Sequence, residues 1–136
     1  MVDSSVALKW FVPEVLSDEA EHLLDGSVGL WTPDLLFAEF GNVVWKKVGR
    51  GEIRPSEARD IVAALELVPL TVVPCSQLIA AALEIAISYR RTVYDALYLA
   101  LAVARDCTFI TADDRLARAL GRGPLARHVR ALSSPA

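Results

Sequence analysis

Two adjoining stretches decide the fold class: Thr92-Val93-Tyr94-Asp95-Ala96-Leu97-Tyr98-Leu99-Ala100-Leu101-Ala102-Val103-Ala104-Arg105, and Thr108-Phe109-Ile110-Thr111-Ala112-Asp113 just beyond it. Thr92 and Asp95 stand three apart at the head of an alanine- and leucine-rich run, the pattern of a capped helix. Ala96 to Ala104 is the longest unbroken apolar run of the chain. It falls far below the ~20 residues of a membrane span. A helix apolar on nearly all sides belongs deep in a layered core or in a subunit interface. Thr108–Thr111 is a short β-branched and aromatic run and reads as a strand. Asp113 then opens a further helix to Leu120.

Working outward, helices and strands keep alternating. Upstream, Leu70–Val73 is a β-branched strand closed by Pro74. Ser76 to Tyr89 reads as a second apolar helix, joined to the Thr92 helix by Arg90-Arg91. Pro55-Ser56-Glu57 starts a helix to about Val68. Thr32-Pro33 predicts a helix with Pro at its first position, running to about Val48 and stopping at Gly49-Arg50-Gly51. Gly29–Thr32 is a short strand. Glu14 to Asp25 predicts an acidic amphipathic helix, and Ser4-Ser5 a capped helix through Phe11 that Pro13 ends. Met1–Asp3 is a strand too short to be read alone, and His128–Leu132 is a candidate edge strand. This alternation predicts an α/β fold: a short central parallel sheet flanked by helices on both faces. The 136 residues predict a single domain, 1–136, able to bury roughly two-thirds of its unfolded surface.

Composition narrows the class. The chain is 54% hydrophobic and 23% charged, a globular balance and not a disordered one. Asp3 and Lys9 interrupt any signal-like apolar segment, and Cys75 and Cys107 form no CxxC, so a reduced, cytoplasmic setting is expected. The formal net charge is −3, but it is polarised. Residues 1–45 hold one lysine against eight acids, and residues 46–136 hold thirteen basic residues against nine acids. Eleven of the fourteen basic residues are arginine, the side chain better shaped for bidentate phosphate contact.

In an open parallel sheet, ligands bind beyond the carboxyl ends of the strands. Asp3 ends the first strand and Asp113 follows the strand Thr108–Thr111. Asp95 lies in the first turn of its helix, and Glu39 about two turns into the helix after Thr32. Each has a plain structural alternative: Asp3, Asp95 and Asp113 can cap helices, and Glu39 can face solvent. Four acids from four segments at one sheet edge are harder to explain as four unrelated caps. Two charges ~4 Å apart repel by ~4 kcal/mol at an effective dielectric near 20, so such a cluster calls for a cation. A nucleophile triad is not favoured: His22 and His128 are the only histidines, and no nucleophile elbow is present. Gly49-Arg50-Gly51 and Gly121-Arg122-Gly123 lack the Lys-Ser/Thr of a phosphate-binding loop.

Val2-Asp3-Ser4-Ser5-Val6-Ala7-Leu8-Lys9-Trp10 resembles the opening of PIN-domain proteins, in particular VapC-type toxins. Tyr94 to Ala102 resembles their third motif. Thr111-Ala112-Asp113 with Arg115-Leu116-Ala117 resembles the fourth, and Glu39 falls where the second acid stands. The resemblance spans the whole chain. It implies a Rossmann-like PIN fold and a metal-dependent endoribonuclease with magnesium, or manganese in its place. It also implies Asp3, Glu39, Asp95 and Asp113 as catalytic metal ligands, Ser5 and Thr111 as supporting hydroxyls, and Asp114 as an additional outer acid. One departure is that only two residues precede Asp3, where the family usually has a longer first strand; either the start is misassigned or the strand is clipped.

As partners, the resemblance implies an RNA substrate, a small antitoxin of a toxin–antitoxin pair, and a homodimer, with no membrane. Arg115, Arg118 and Arg122 follow the fourth acid at near-helical spacing, and Lys46, Lys47 and Arg50 cluster at one helix end. Both sets are candidates for RNA phosphates, with a solvated face as the alternative. The acidic stretch Glu14, Asp18, Glu19, Glu21 and Asp25 is a candidate antitoxin contact. The helix Asp34–Val48 carries more apolar surface than one amphipathic face needs, which suggests a dimer or antitoxin interface. Two competing readings remain. A phosphoaspartate phosphatase would want an Asp where Ser5 stands, and a binding module without catalysis would be expected to have lost one of the acids.

Overall fold

The computed structural model describes residues 1–133. Four strands are present among them, β1 (Leu30–Pro33), β2 (Leu70–Val73), β3 (Phe109–Thr111) and β4 (Val129–Ala131). β1 pairs in parallel with β2, and β3 with β4. The N-terminal segment stitches the two pairs together. Val2 bridges Ile110 in parallel, Ile110 N–H donates to the Met1 carbonyl, and Val2 N–H donates to the Trp31 carbonyl. Of the expected first strand, Val2 forms a single parallel bridge.

Alternation along these short strands sends neighbouring side chains to opposite faces. Met1 and Phe109 pack into a cluster with α5 (Ile79–Tyr89), α6 (Val93–Ala104) and α7 (Asp114–Leu120). Val2 and Ile110 pack on the other face against Val6 of α1 (Ser4–Leu8) and Ala20 of α2 (Ser17–His22). A third cluster joins Ala7 and Leu8 to Leu36, Phe40 and Val44 of α3 (Leu35–Gly49) and Leu65 of α4 (Pro55–Leu65). The parallel sheet with helices on both faces is as the alternation predicts. α6 is buried at every residue from Ala96 to Ala102. The equally apolar α5 instead leaves Ile79, Leu83 and Ile87 exposed at i, i+4 spacing, so only one of the two apolar helices lies deep.

Several boundaries differ from expectation. Pro33 ends a strand and does not open a helix: Thr32 and Pro33 pair with Val72 and Val73, and a last-residue Pro is tolerated there. The helix starts two residues later, after Asp34, whose N–H donates to the Val73 carbonyl and whose Oδ1 accepts from Cys75 N–H. The first helix stops at Leu8, before Phe11 and Pro13. The acidic helix shrinks to Ser17–His22 because Leu16 takes a left-handed conformation at φ 67°. The stretch Ser76–Tyr89 is divided by a 3-10 turn at Cys75–Gln77, and the helix from Pro55 ends at Leu65. No helix among the described residues is long and apolar enough to cross a membrane.

Candidate active site

Parallel strands put their carboxyl ends on one edge, and the acids collect there. Asp3 follows Val2 and caps α1: its Oδ1 accepts from Val6 N–H at 3.2 Å and from the Ser5 hydroxyl at 2.5 Å. Its Oδ2 accepts from the Thr111 hydroxyl at 2.5 Å. Both hydroxyls then accept in turn, Ser5 from Ala112 N–H at 2.9 Å and Thr111 from Asp113 N–H at 3.1 Å. The start of α1 is thus laced to the end of β3, and Asp3 is the knot. Only 8% of Asp3 is exposed. Burial raises its carboxyl above the ordinary range, although the hydrogen bonds from Ser5, Thr111 and Val6 act the other way.

Glu39 lies in the second turn of α3, half-buried. The Tyr98 hydroxyl donates to its Oε1 at 2.5 Å. Burial raises the Glu39 carboxyl, the Tyr98 bond opposes this, and the charges of Asp3 and Asp95 add to it. Asp95 is the third residue of α6, and its backbone N–H donates to Thr92 Oγ1 at 3.1 Å. Burial raises its carboxyl, Arg91 counteracts, and Asp113 raises it further. Asp113 caps α7: its Oδ1 accepts from the N–H groups of Arg115 and Leu116, both at 3.0 Å. Only that one oxygen is used by the cap.

The carboxylates form one electrostatic set, because Glu39 feels Asp3 and Asp95, and Asp95 feels Asp113. Capping is realised at Asp3 and Asp113, yet it does not scatter the acids. Among the described residues, no three Asp, Glu, His or Cys side chains stand as a ready chelate for one ion. Magnesium keeps several waters and takes one or two carboxylates directly. An all-oxygen set with charge repulsion to relieve fits such an ion without a three-residue cluster.

The remaining candidates divide. Ser5 and Thr111 are drawn into the cluster. Asp114, in the first turn of α7, is exposed and stands apart from the hydrogen bonds that tie the cluster. Arg115 and Arg118 lie on α7, both exposed to solvent. Arg122 is not on their helix: α7 ends at Leu120 with Gly121 as its cap, so the expected three-arginine face holds only two. Lys46, Lys47 and Arg50 lie seven to eleven residues beyond Glu39 along or just past α3, about 10–17 Å away at 1.5 Å per residue. Lys47 bonds Glu14 at 3.3 Å and Glu52 at 3.0 Å, and Arg50 reaches Glu52 at 3.9 Å. That cluster joins loops, and two of its three cations are already engaged by acids. Glu14, expected on a free acidic face, is held by Lys9 as well as Lys47. His128 is buried, with Nδ1 3.1 Å from the Cys107 carbonyl.

Three residues of the site carry no signal of that role in the sequence. Tyr98 blends into the apolar run of its helix, although its i, i+3 spacing from Asp95 places both on one face. Arg91 looks like a joint between two helices and nothing more. Asp34 ties the ends of β1 and β2, and only its place after Pro33 marks it.

The PIN domain family model matches residues 1–121. This chain belongs to the PIN domain family. Among curated proteins, Ribonuclease VapC3 of Pyrobaculum aerophilum is 34% identical over 119 residues, covering 86% of this chain and 91% of that relative. Among solved structures, the crystal structure of PAE2754 from Pyrobaculum aerophilum superposes with a TM-score of 0.64 at 22% identity, over 87% of this chain and 83% of that one. The motifs that carried the resemblance are the segments that carry Asp3, Glu39, Asp95 and Asp113.

Proposed function

We propose that the whole chain, 1–136, is one PIN domain acting as a metal-dependent endoribonuclease, the toxin of a VapBC-type pair. The observation that carries this reading is the electrostatic set of Asp3, Glu39, Asp95 and Asp113, drawn from four segments to one edge. The 34% identity to a protein named as a ribonuclease VapC supports it. In this reading the four acids hold Mg2+, with Mn2+ able to substitute. A divalent ion bound there supplies water activation and offsets charge on the leaving oxygen. The chain's own residues do the placing. Ser5 and Thr111 hold Asp3 rigid, Thr92 fixes the start of α6 under Asp95, and the α7 cap turns Asp113 toward the edge. Arg115 and Arg118 bind RNA phosphates outward from the site, which adds affinity without base selection.

The partners follow the same reading: RNA as substrate, a small antitoxin, a second copy of the chain, and a cytoplasmic setting. An apolar groove of about 480 Å³ between α3 and α4, lined by Trp45, Val48, Val62 and Ala63 among others, supports a protein partner. Leu36, Phe40 and Val44 of α3 are spent on the core, whereas Trp45 is 68% exposed. A phosphatase using Asp3 as nucleophile is disfavoured, because Ser5 stands where such an enzyme would want a second Asp. Incubation of the purified chain with total RNA, followed by mapping of new 5′ ends, tests the reading. Cleavage is expected with Mg2+ or Mn2+, is expected to stop in EDTA, and to return when the ion is restored. Full cleavage in chelator would remove the metal mechanism. No cleavage with either ion would leave a PIN-fold binding module.

A further inference from the structure

The Tyr98 hydroxyl donates to a candidate metal ligand. Tyr98 is 3% exposed, and its ring stacks on Phe109 with centroids 5.3 Å apart and planes 12° from parallel. Phe109 is itself fully buried in β3. The phenol therefore cannot swing without disturbing the core, and its oxygen is a fixed point from which to donate to Glu39 Oε1. Glu39 sits on a different helix, 59 residues away in sequence. The bond engages Oε1 and not Oε2. A free carboxylate can turn to offer one or both oxygens to an ion, whereas here the rigid donor fixes the orientation of the group and competes with an ion for Oε1.

We infer that Tyr98 is a positioning residue that holds Glu39 as a one-oxygen ligand and so favours small, water-retaining divalent ions over calcium. This rests on the four-acid metal reading above. The physical basis is the difference between the ions. Calcium takes six to eight oxygens at longer range and readily accepts a bidentate carboxylate, whereas magnesium demands a tight octahedron and keeps its waters. Pinning Oε1 disfavours the bidentate arrangement that calcium accepts and leaves a single-oxygen contact open to magnesium or manganese.

The test is Mn2+ and Ca2+ binding to the full metal-free chain by calorimetry, in wild type, Tyr98→Phe, Glu39→Gln and the double variant. Tyr98→Phe keeps the ring and its stack and removes only the hydroxyl. Hydrogen bonds to charged groups correspond to roughly a tenfold effect or more on an equilibrium. The expected result is that Tyr98→Phe lowers the Mn2+-over-Ca2+ preference about tenfold. In the Glu39→Gln background the same change is expected to do nothing further, since the effect passes through that carboxylate. Equal weakening of both ions, or an unchanged ratio, would overturn the inference while leaving the metal site standing. Wild type that binds neither ion would overturn the four-acid reading and this inference with it. A second measurement covers a Tyr98→Phe chain that does not fold. In 3-fluorotyrosine-labelled protein, the Tyr98 resonance is expected to shift on Mg2+ addition and not to shift in Glu39→Gln. A Tyr98 signal blind to the ion in wild type would overturn the inference.

Discussion

The two flanks of the acid cluster are built to opposite plans. Asp3 is buried, both of its oxygens accept hydrogen bonds, and it laces α1 to β3. Asp95 and Asp113 are less enclosed, and their ties are local ones. These are the backbone cap at Thr92 and the α7 cap on a single Asp113 oxygen. One flank is a structural tie that also carries charge. The other is charge held in place chiefly by helix geometry. A carboxylate of the first kind cannot be removed without cost to the fold, whereas Asp95, whose side chain caps no helix, stores repulsion that its removal relieves.

The largest effect expected from this contrast is in paired substitutions. Asp3→Ala should bring RNA cleavage to background and also lower stability, by about 1–3 kcal/mol for each buried donor left unpaired among Ser5, Val6 and Thr111. Asp95→Asn should abolish cleavage equally but leave the thermal midpoint of the metal-free chain unchanged or slightly raised. Thermal melts beside cleavage assays separate the two. An Asp95→Asn chain that unfolds would mean that the flanks do not differ, and that the first turn of α6 depends on that carboxylate.

An intermediate effect is expected from pH. The carboxyls of Asp3, Glu39 and Asp95 are all raised in the folded chain. The folded state therefore binds more protons than the unfolded state between the ordinary and raised values, and stability falls as pH rises through that interval. The metal-free chain should melt higher as pH drops from neutrality toward the ordinary carboxylate range. A tenfold change in a carboxyl's proton affinity on folding is worth at most about 1.4 kcal/mol. Mg2+ should flatten the dependence by supplying the missing positive charge, and Asp95→Asn should reduce it. A midpoint that falls steadily as pH drops over that range in metal-free protein would contradict the stored repulsion.

The smallest effect concerns the basic residues around the open flank. Changing Arg115 and Arg118 to Gln in a metal-free Asp95→Asn chain should flatten the dependence of log affinity on log salt. On single-stranded RNA the slope should fall by ~0.7 for each phosphate that the variant no longer neutralises. Lys47→Gln, at the far end of α3, should leave that slope alone and cost under ~1 kcal/mol of stability through its surface ion pairs. Equal slopes in the arginine variant and its parent would return α7 to a solvated face.

Much of the site is legible because its residues stand at element ends, where sequence carries position. Asp3 and Asp113 follow strands, Asp95 follows Thr92 by three, and Ser5 and Thr111 stand two residues from an acid. The rest is hidden for identifiable reasons. Tyr98 is masked by the apolar run around it, since nothing local tells a tyrosine that packs from one that also donates to another helix. Spacing alone puts Arg122 on α7, and the cap at Gly121 removes it. Lys47 looks free until Glu14 and Glu52 arrive from other segments. Pro33 carries the sign of a helix start and is taken by pairing with Val73.

By itself the sequence determined the alternation of strand and helix and the caps at Thr92 and Asp113. These depend on contacts between residues a few positions apart, whose geometry the backbone repeats wherever the pattern recurs. Only the tertiary structure decided that Thr111 donates to Asp3 across 108 positions and Tyr98 to Glu39 across 59. It likewise decided that α6 is buried while the equally apolar α5 keeps an exposed stripe. Such contacts form only once packing has closed the intervening chain, and their partners are selected by the shape of the assembled core, which no local pattern encodes.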